Sequence, residues 1–136
     1  MVDFKHFFNE EYQIALKNAV YTQIERENQD ADFELSVRDR VDAVIHDKHL
    51  EASFGRKVFF DPAALYSIDI VFTFSLFFKN TDLVEEAKSV DWKDALTEAG
   101  NPYLTDVISR ASYLIATLTS SYGQQPLVTP PVLLRQ

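Results

Sequence analysis

The sequence predicts an α+β fold in which an antiparallel sheet carries one long helix on a face. Three observations lead there: alternation of apolar and polar side chains from Tyr66 to Phe78, a second alternating run from Phe33 to Ile45 closely followed by a third apolar segment, and a helical stripe opened by the pair Asn101-Pro102. A chain of 136 residues is expected to form a single domain, 1–136, long enough to bury about two-thirds of its unfolded surface.

Tyr66, Ile68, Ile70, Phe72, Phe74, Leu76 and Phe78 share one parity, while Ser67, Asp69, Thr73 and Ser75 share the other. Period two in β-branched and aromatic residues is the mark of a strand. Val71 and Phe77 make its second face partly apolar, so that face is expected to meet something other than water, such as a neighbouring subunit. Phe33, Leu35, Val37, Val41, Ala43 and Ile45 alternate with Glu34, Ser36, Arg38, Arg40 and Asp42, and only Asp39 is out of pattern. Residues 49 to 60 follow Asp47 and Lys48 as the hairpin partner, and Asp61-Pro62 breaks the chain before the next strand. Three consecutive strands are therefore read as antiparallel.

Residues 12 to 25 are ambiguous. Tyr12, Ile14, Leu16, Val20, Thr22 and Ile24 alternate, but Leu16, Val20 and Ile24 also sit four apart, and Asn9 before Glu10 and Glu11 offers a helix start. The polar stretch 81–100 reads as one or two short helices ending at Gly100. Asn101 then serves as N-cap with Pro102 at the first helical position, where its missing N–H costs nothing. Leu104, Val107, Ile108, Ala111, Leu114, Ile115 and Leu118 form one apolar stripe, and Gly123 is placed to supply a left-handed C-terminal cap. The apolar tail from 124 on carries Pro126, Pro130 and Pro131, which excludes a regular helix or central strand and predicts an extended segment over a surface.

The net charge of −8 argues against nucleic acid as a partner, because phosphate affinity rests on Lys and Arg displacing counterions. Cysteine is absent, which removes disulfides and thiol nucleophiles and fits a reducing compartment. The start has no basic end and no apolar centre of a signal peptide, and the longest apolar run, 64–78, contains Asp69 and is too short to cross a bilayer. A soluble, cytoplasmic protein without membrane insertion is the expectation.

No phosphate loop, nucleophile elbow or zinc spacing occurs. His46 and His49, with Asp47 between them, are the one compact ligand-like cluster; on a strand turn these read as solvated loop residues, and no metal, cofactor or catalytic residue is assigned. The pairs Glu10-Glu11 and Glu85-Glu86 read as solvated faces. The aromatic surplus is more informative: among 11 Phe, 6 Tyr and one Trp, Phe54, Phe59, Phe60, Tyr66, Phe72, Phe74, Phe77, Phe78 and Trp92 crowd between residues 54 and 92. One face of one sheet needs fewer, and surplus apolar surface implies an oligomer interface, a binding groove, or both.

The order of parts, and within it "IDIVF" at 68–72, "NPYLTDVISRASYLI" at 101–115 and "PLVTPPV" at 126–132, resembles the SecB-like protein-export chaperones. Pro102 and Tyr103 match the pair that opens the family's main helix, Asp69 falls where the strand's acid sits, and Pro126, Leu127 and Pro130 fit the closing segment. The usual Gly-Gly pair is replaced by Thr73 and Phe74. The resemblance implies that residues 12–25 form a first strand, giving a four-stranded antiparallel sheet with the long helix on one face. It also implies a homo-oligomer, a dimer of dimers, that holds unfolded polypeptide clients in apolar grooves. The partner would be the SecA motor, with Asp69 as the candidate motor contact, or the antitoxin of a toxin-antitoxin pair.

Read together, these features predict an ATP-independent holding chaperone or adaptor and not an enzyme. Phe59, Phe60, Tyr66, Phe72, Phe74 and Trp92 are its candidate polypeptide-binding residues, each also suited to a core. Two other readings are a structural protein whose extra apolar face serves only self-association, and a carrier enclosing a small apolar ligand.

Overall fold

The structure, a computed structural model, describes residues 2–25, 32–98, 100–121 and 125–134. Strand β4 (Tyr66–Phe78) alternates without exception, its even-numbered residues buried and its odd-numbered ones half-buried. It pairs with β1 (Phe8–Gln23) on one side and β3 (His49–Asp61) on the other, and β3 pairs with β2 (Glu34–Ile45). All pairings are antiparallel, and the four-stranded sheet runs in the order β1-β4-β3-β2. The register sets Phe54 opposite Phe72, Ala52 opposite Phe74 and Leu50 opposite Leu76, so one face is a continuous apolar layer.

The ambiguous N-terminal segment is a strand, and it starts at Phe8, after a short helix α1 (Phe4–Phe7) that the periodicity does not show. The helix start offered by Asn9 is overridden: its side-chain oxygen takes the N–H of Glu11 within an irregular stretch of strand. A second register shift between Leu16 and Asn18 turns the strand over. Val20 and Thr22, which share a parity with Leu16 in the sequence, therefore pair with Asp69 and Ser67 on the opposite face, while Ala19 and Tyr21 take their place opposite Ile70 and Ile68. One inserted residue exchanges the faces of all that follows.

After α2 (Asp82–Ala87), α3 (Trp92–Leu96) begins at Asp91, whose side chain accepts the N–H of Asp94. It delivers Trp92 into a ring cluster of Phe4, Phe7 and Phe8, with centroids 5.1 to 5.7 Å away, and the indole N–H donates to the Ala87 carbonyl at 2.9 Å. Helix α4 (Pro102–Ser121) starts as the sequence predicts. The Asn101 side chain accepts the N–H groups of Tyr103 and Leu104, and Gly100 before it takes φ 83°, open to glycine. Leu104, Val107, Ile108, Ala111 and Ile115 are buried against the sheet, with Leu114 and Leu118 half-buried beside them. The C-cap expected at Gly123 lies outside the described residues.

The tail is extended, and it is tied down by polar groups. Thr119, buried at the end of the apolar stripe, accepts the Leu127 N–H at 2.8 Å. Farther along, the tail reaches Arg56, which points into the covered face of β3 opposite Asp39. Both side chains are fully buried. The guanidinium donates twice to Asp39, at 2.7 and 2.8 Å, and also to Ser112 of α4, to Thr129, and to the carbonyls of Pro130 and Val132. Asp39 in turn accepts the Leu134 N–H at 2.8 Å. The residue that broke the alternation in β2 is thus one half of a paired charge.

Removing one partner of a buried ion pair costs about 3–5 kcal/mol, whereas replacing both by apolar groups is often nearly neutral. Asp39→Leu is therefore expected to lower the urea midpoint by the equivalent of about 3–5 kcal/mol. Adding Arg56→Met should recover much of this, yet leave the tail open to limited proteolysis, because its carbonyls have lost their donor. A double variant as unstable as the single one would show that the loss comes not from a stranded charge but from the bonds that the pair holds together.

Candidate functional site

The six aromatic candidates do not form one groove. Tyr66, Phe72, Phe74 and Trp92 are buried, at 4, 8, 1 and 4 % exposure, under α3, α4 and the N-terminal turn, so in this conformation they serve the core. Phe59 and Phe60 lie on opposite faces of β3, as period two requires. Phe72 and Phe74 occupy the middle of the covered layer, and Trp92 belongs to the ring cluster at its Phe78 end. Phe60 and Tyr66 are brought together at the other end: their rings meet edge to face at 5.2 Å, Phe33 meets Phe60 at 5.3 Å, and Tyr21 stacks on Tyr66 at 5.5 Å. This end is rimmed by Leu35 and Leu65, both more than 40 % exposed.

Sequence periodicity missed the surface that leads to it. β1 is an edge strand of 16 residues, and α4 lies over β4 and β3. Ile14, Leu16, Ala19 and Tyr21 sit on the covered-face side of β1, opposite Phe74, Phe72, Ile70 and Ile68. Leu16 is nonetheless 49 % exposed, and Ala19 is exposed as well. An apolar row along the outermost strand of the sheet thus runs into the Tyr21–Tyr66–Phe60 cluster. At its other end the Tyr12 hydroxyl donates to Asp106 of α4 at 2.7 Å, and its ring meets Tyr103 edge on at 5.2 Å. That hydrogen bond, followed by burial, raises the Tyr12 pKa; burial raises those of Tyr66 and Tyr103.

The second face of the sheet is polar at its centre. Asp69 is paired with Arg40 at 2.9 Å, both side chains remaining accessible. Arg40 reaches across β3 at Gly55, where a Cβ would come within 2.5 Å of the guanidinium carbon. Phe59, on this face, carries Arg38 and Lys57 over its ring at 5.1 and 5.3 Å. Near the β2–β3 turn, His46 and His49 stack at 4.7 Å, and the third nearby ligand group is Glu51, not Asp47. A cleft of about 520 Å³ beside α3 is lined by Asp39, Arg40, Asp91, Lys93 and Asp94 along with Val41, Leu133 and Leu134. Among the described residues no helix is long and apolar enough to cross a membrane.

No family model and no curated protein sequence matches the chain. Its fold is that of SecB-like proteins: the structure of the Mycobacterium tuberculosis Rv1957 SecB-like chaperone in complex with a ChAD peptide from the Rv1956 HigA1 antitoxin superposes with a TM-score of 0.58 at 8 % sequence identity, covering 88 % of this chain and 89 % of that one.

The Tyr12–Asp106 bond has a signed pH dependence. A phenol whose folded pKa is raised above the unfolded 10.0 contributes stability that is fully present below pH 10 and is lost as pH rises through the folded value. Tyr12→Phe should cost about 0.5–1 kcal/mol near neutrality and flatten the alkaline limb of a pH series of urea midpoints. An unchanged alkaline limb would assign the loss to other tyrosines.

Proposed function

We propose that this chain is an ATP-independent holding chaperone or adaptor, not an enzyme, that binds unfolded or partly folded polypeptide along the β1 edge and acts as a homo-oligomer in the cytoplasm. The observation that carries the reading is the row Ile14, Leu16, Ala19 and Tyr21 on the edge strand β1, which has the parity of a core face although Leu16 and Ala19 are exposed and Ile14 and Tyr21 only half-buried. An extended segment added there gains main-chain hydrogen bonds from the strand edge. Alternate side chains of the segment meet the apolar row, which gives adaptable recognition. The net charge of −8 speeds encounter with basic clients.

The fold neighbour, a SecB-like chaperone holding a peptide from an antitoxin, supports this class of partner. Between a motor and an antitoxin-type segment, the second is favoured, because the fold neighbour holds a segment of that kind. The cleft beside α3, with its charged rim, does not suit a small apolar ligand. Self-association alone would use the same β1 edge, so the test must separate the two.

Light scattering of a reduced, unfolded client, with and without the protein and in the absence of nucleotide, is the discriminating measurement. Suppressed aggregation is expected, and Leu16→Asp should abolish it while leaving the thermal midpoint nearly unchanged, since surface substitutions at exposed positions stay within about 0.5 kcal/mol. A protein that assembles yet leaves every client to aggregate, with Leu16→Asp dissociating the assembly, would replace this reading with the structural one.

A further inference from the structure

We propose that His46, His49 and Glu51, at the tip of the β2–β3 hairpin, form a binding site for a late first-row divalent metal ion, with Zn²⁺ as the probe. The argument is independent of polypeptide binding and starts from the backbone. The His46 N–H donates to the His49 carbonyl at 2.8 Å, closing the turn through Asp47 and Lys48, so the two histidines face each other across the hairpin. Glu51 lies opposite Val44, two residues from His46, and strand parity puts it on the same face as His49. Asp47 sits in the turn itself, outside this cross-strand array, which is why the sequence cluster His46-Asp47-His49 names the wrong third residue.

The potential ligand atoms of the three side chains all lie within 4.8 Å of one another, and His46 Nε2 is 3.7 Å from a Glu51 oxygen. Bonds of 2.0–2.1 Å at a tetrahedral angle place ligand atoms about 3.3 Å apart. Binding would draw the three side chains together by rotation on Cα positions that the paired strands hold. The His49 ring is backed by Phe77 at 5.8 Å, and the Lys48 carbonyl accepts the Phe78 N–H at 3.1 Å, which ties the tip to β4.

The donor set selects the class of ion. Two imidazoles and one carboxylate suit Zn²⁺, Ni²⁺ or Cu²⁺; Ca²⁺ and Mg²⁺ require oxygen throughout, and no cysteine is present to select a thiolate metal. Without the ion the cluster is a weak arrangement, since a half-exposed His–Glu contact at 3.7 Å contributes little. With three protein ligands, the fourth position stays open to water or to a donor from a second molecule.

Titration calorimetry of untagged, chelator-treated protein with Zn²⁺ tests this. Binding that saturates at one equivalent per chain and raises the thermal midpoint is expected. Loss of an outer-shell partner alone typically weakens a metal site by about 10–100-fold, so His46→Gln, His49→Gln and Glu51→Gln should each weaken it by at least that much. His6→Ala, which removes the third histidine, should leave it unchanged. Non-saturating binding, binding indifferent to substitutions in the hairpin, or binding that depends on His6 would overturn the assignment.

Discussion

Burying a guanidinium under an apolar sheet face is tolerable only if every donor finds an acceptor, and Arg56 meets that demand by recruiting three separate parts of the chain. Asp39 comes from the neighbouring strand, Ser112 from α4, and Thr129, Pro130 and Val132 from the tail. Each alternative arrangement strands a buried charge, so the interaction selects one register of β2 on β3 and one path of the tail. Among the described residues no buried side-chain nitrogen or oxygen lacks a partner. Apolar contacts supply most of the driving force, at about 1.5–3 kcal/mol for each fully buried large side chain. They are tolerant of sliding, and the Arg56 knot is not.

The same arrangement decides which apolar surface is left over. The tail, anchored at Thr119 and Arg56, runs alongside α4 towards β2, and α4 itself lies over β4 and β3. β1, at the edge, is thereby left with Leu16 and Ala19 exposed on the side of the sheet that is covered elsewhere. The surplus of aromatic residues does not create this surface. It is split between two ends of the sheet, with Trp92 and its phenylalanines closing one and Tyr21, Phe60 and Tyr66 bordering the other.

Legibility in the sequence followed the regularity of the local signal. β4 reads directly because its parity is unbroken over its whole length, and α4 because Asn101 and Pro102 announce its start. β1 does not, because the shift between Leu16 and Asn18 exchanges its faces midway; the alternation that unites Leu16 with Val20 and Thr22 joins residues from opposite sides of the sheet. Asp39 looks like a misfit in isolation, and only the cross-strand register shows that Arg56 answers it. In the same way Glu51 joins His46 and His49 through a pairing that no spacing along the chain displays. The aromatic residues were countable, but their division between two ends of one face is a property of strand order, which composition does not carry.

An edge strand with exposed apolar side chains is ordinarily an aggregation hazard, and β1 carries devices that limit it. The register shift after Leu16 places Lys17 at the irregularity, and bulges and lysines are the usual protections of a sheet edge. They also divide the edge into two shorter runs of regular pairing, 12–16 and 18–23. A bulge of this kind breaks the regular ladder that a long strand from another chain would need. The features that protect the β1 edge are therefore compatible with the proposed role, in which main-chain bonds would supply affinity and the divided edge would limit the length of segment held.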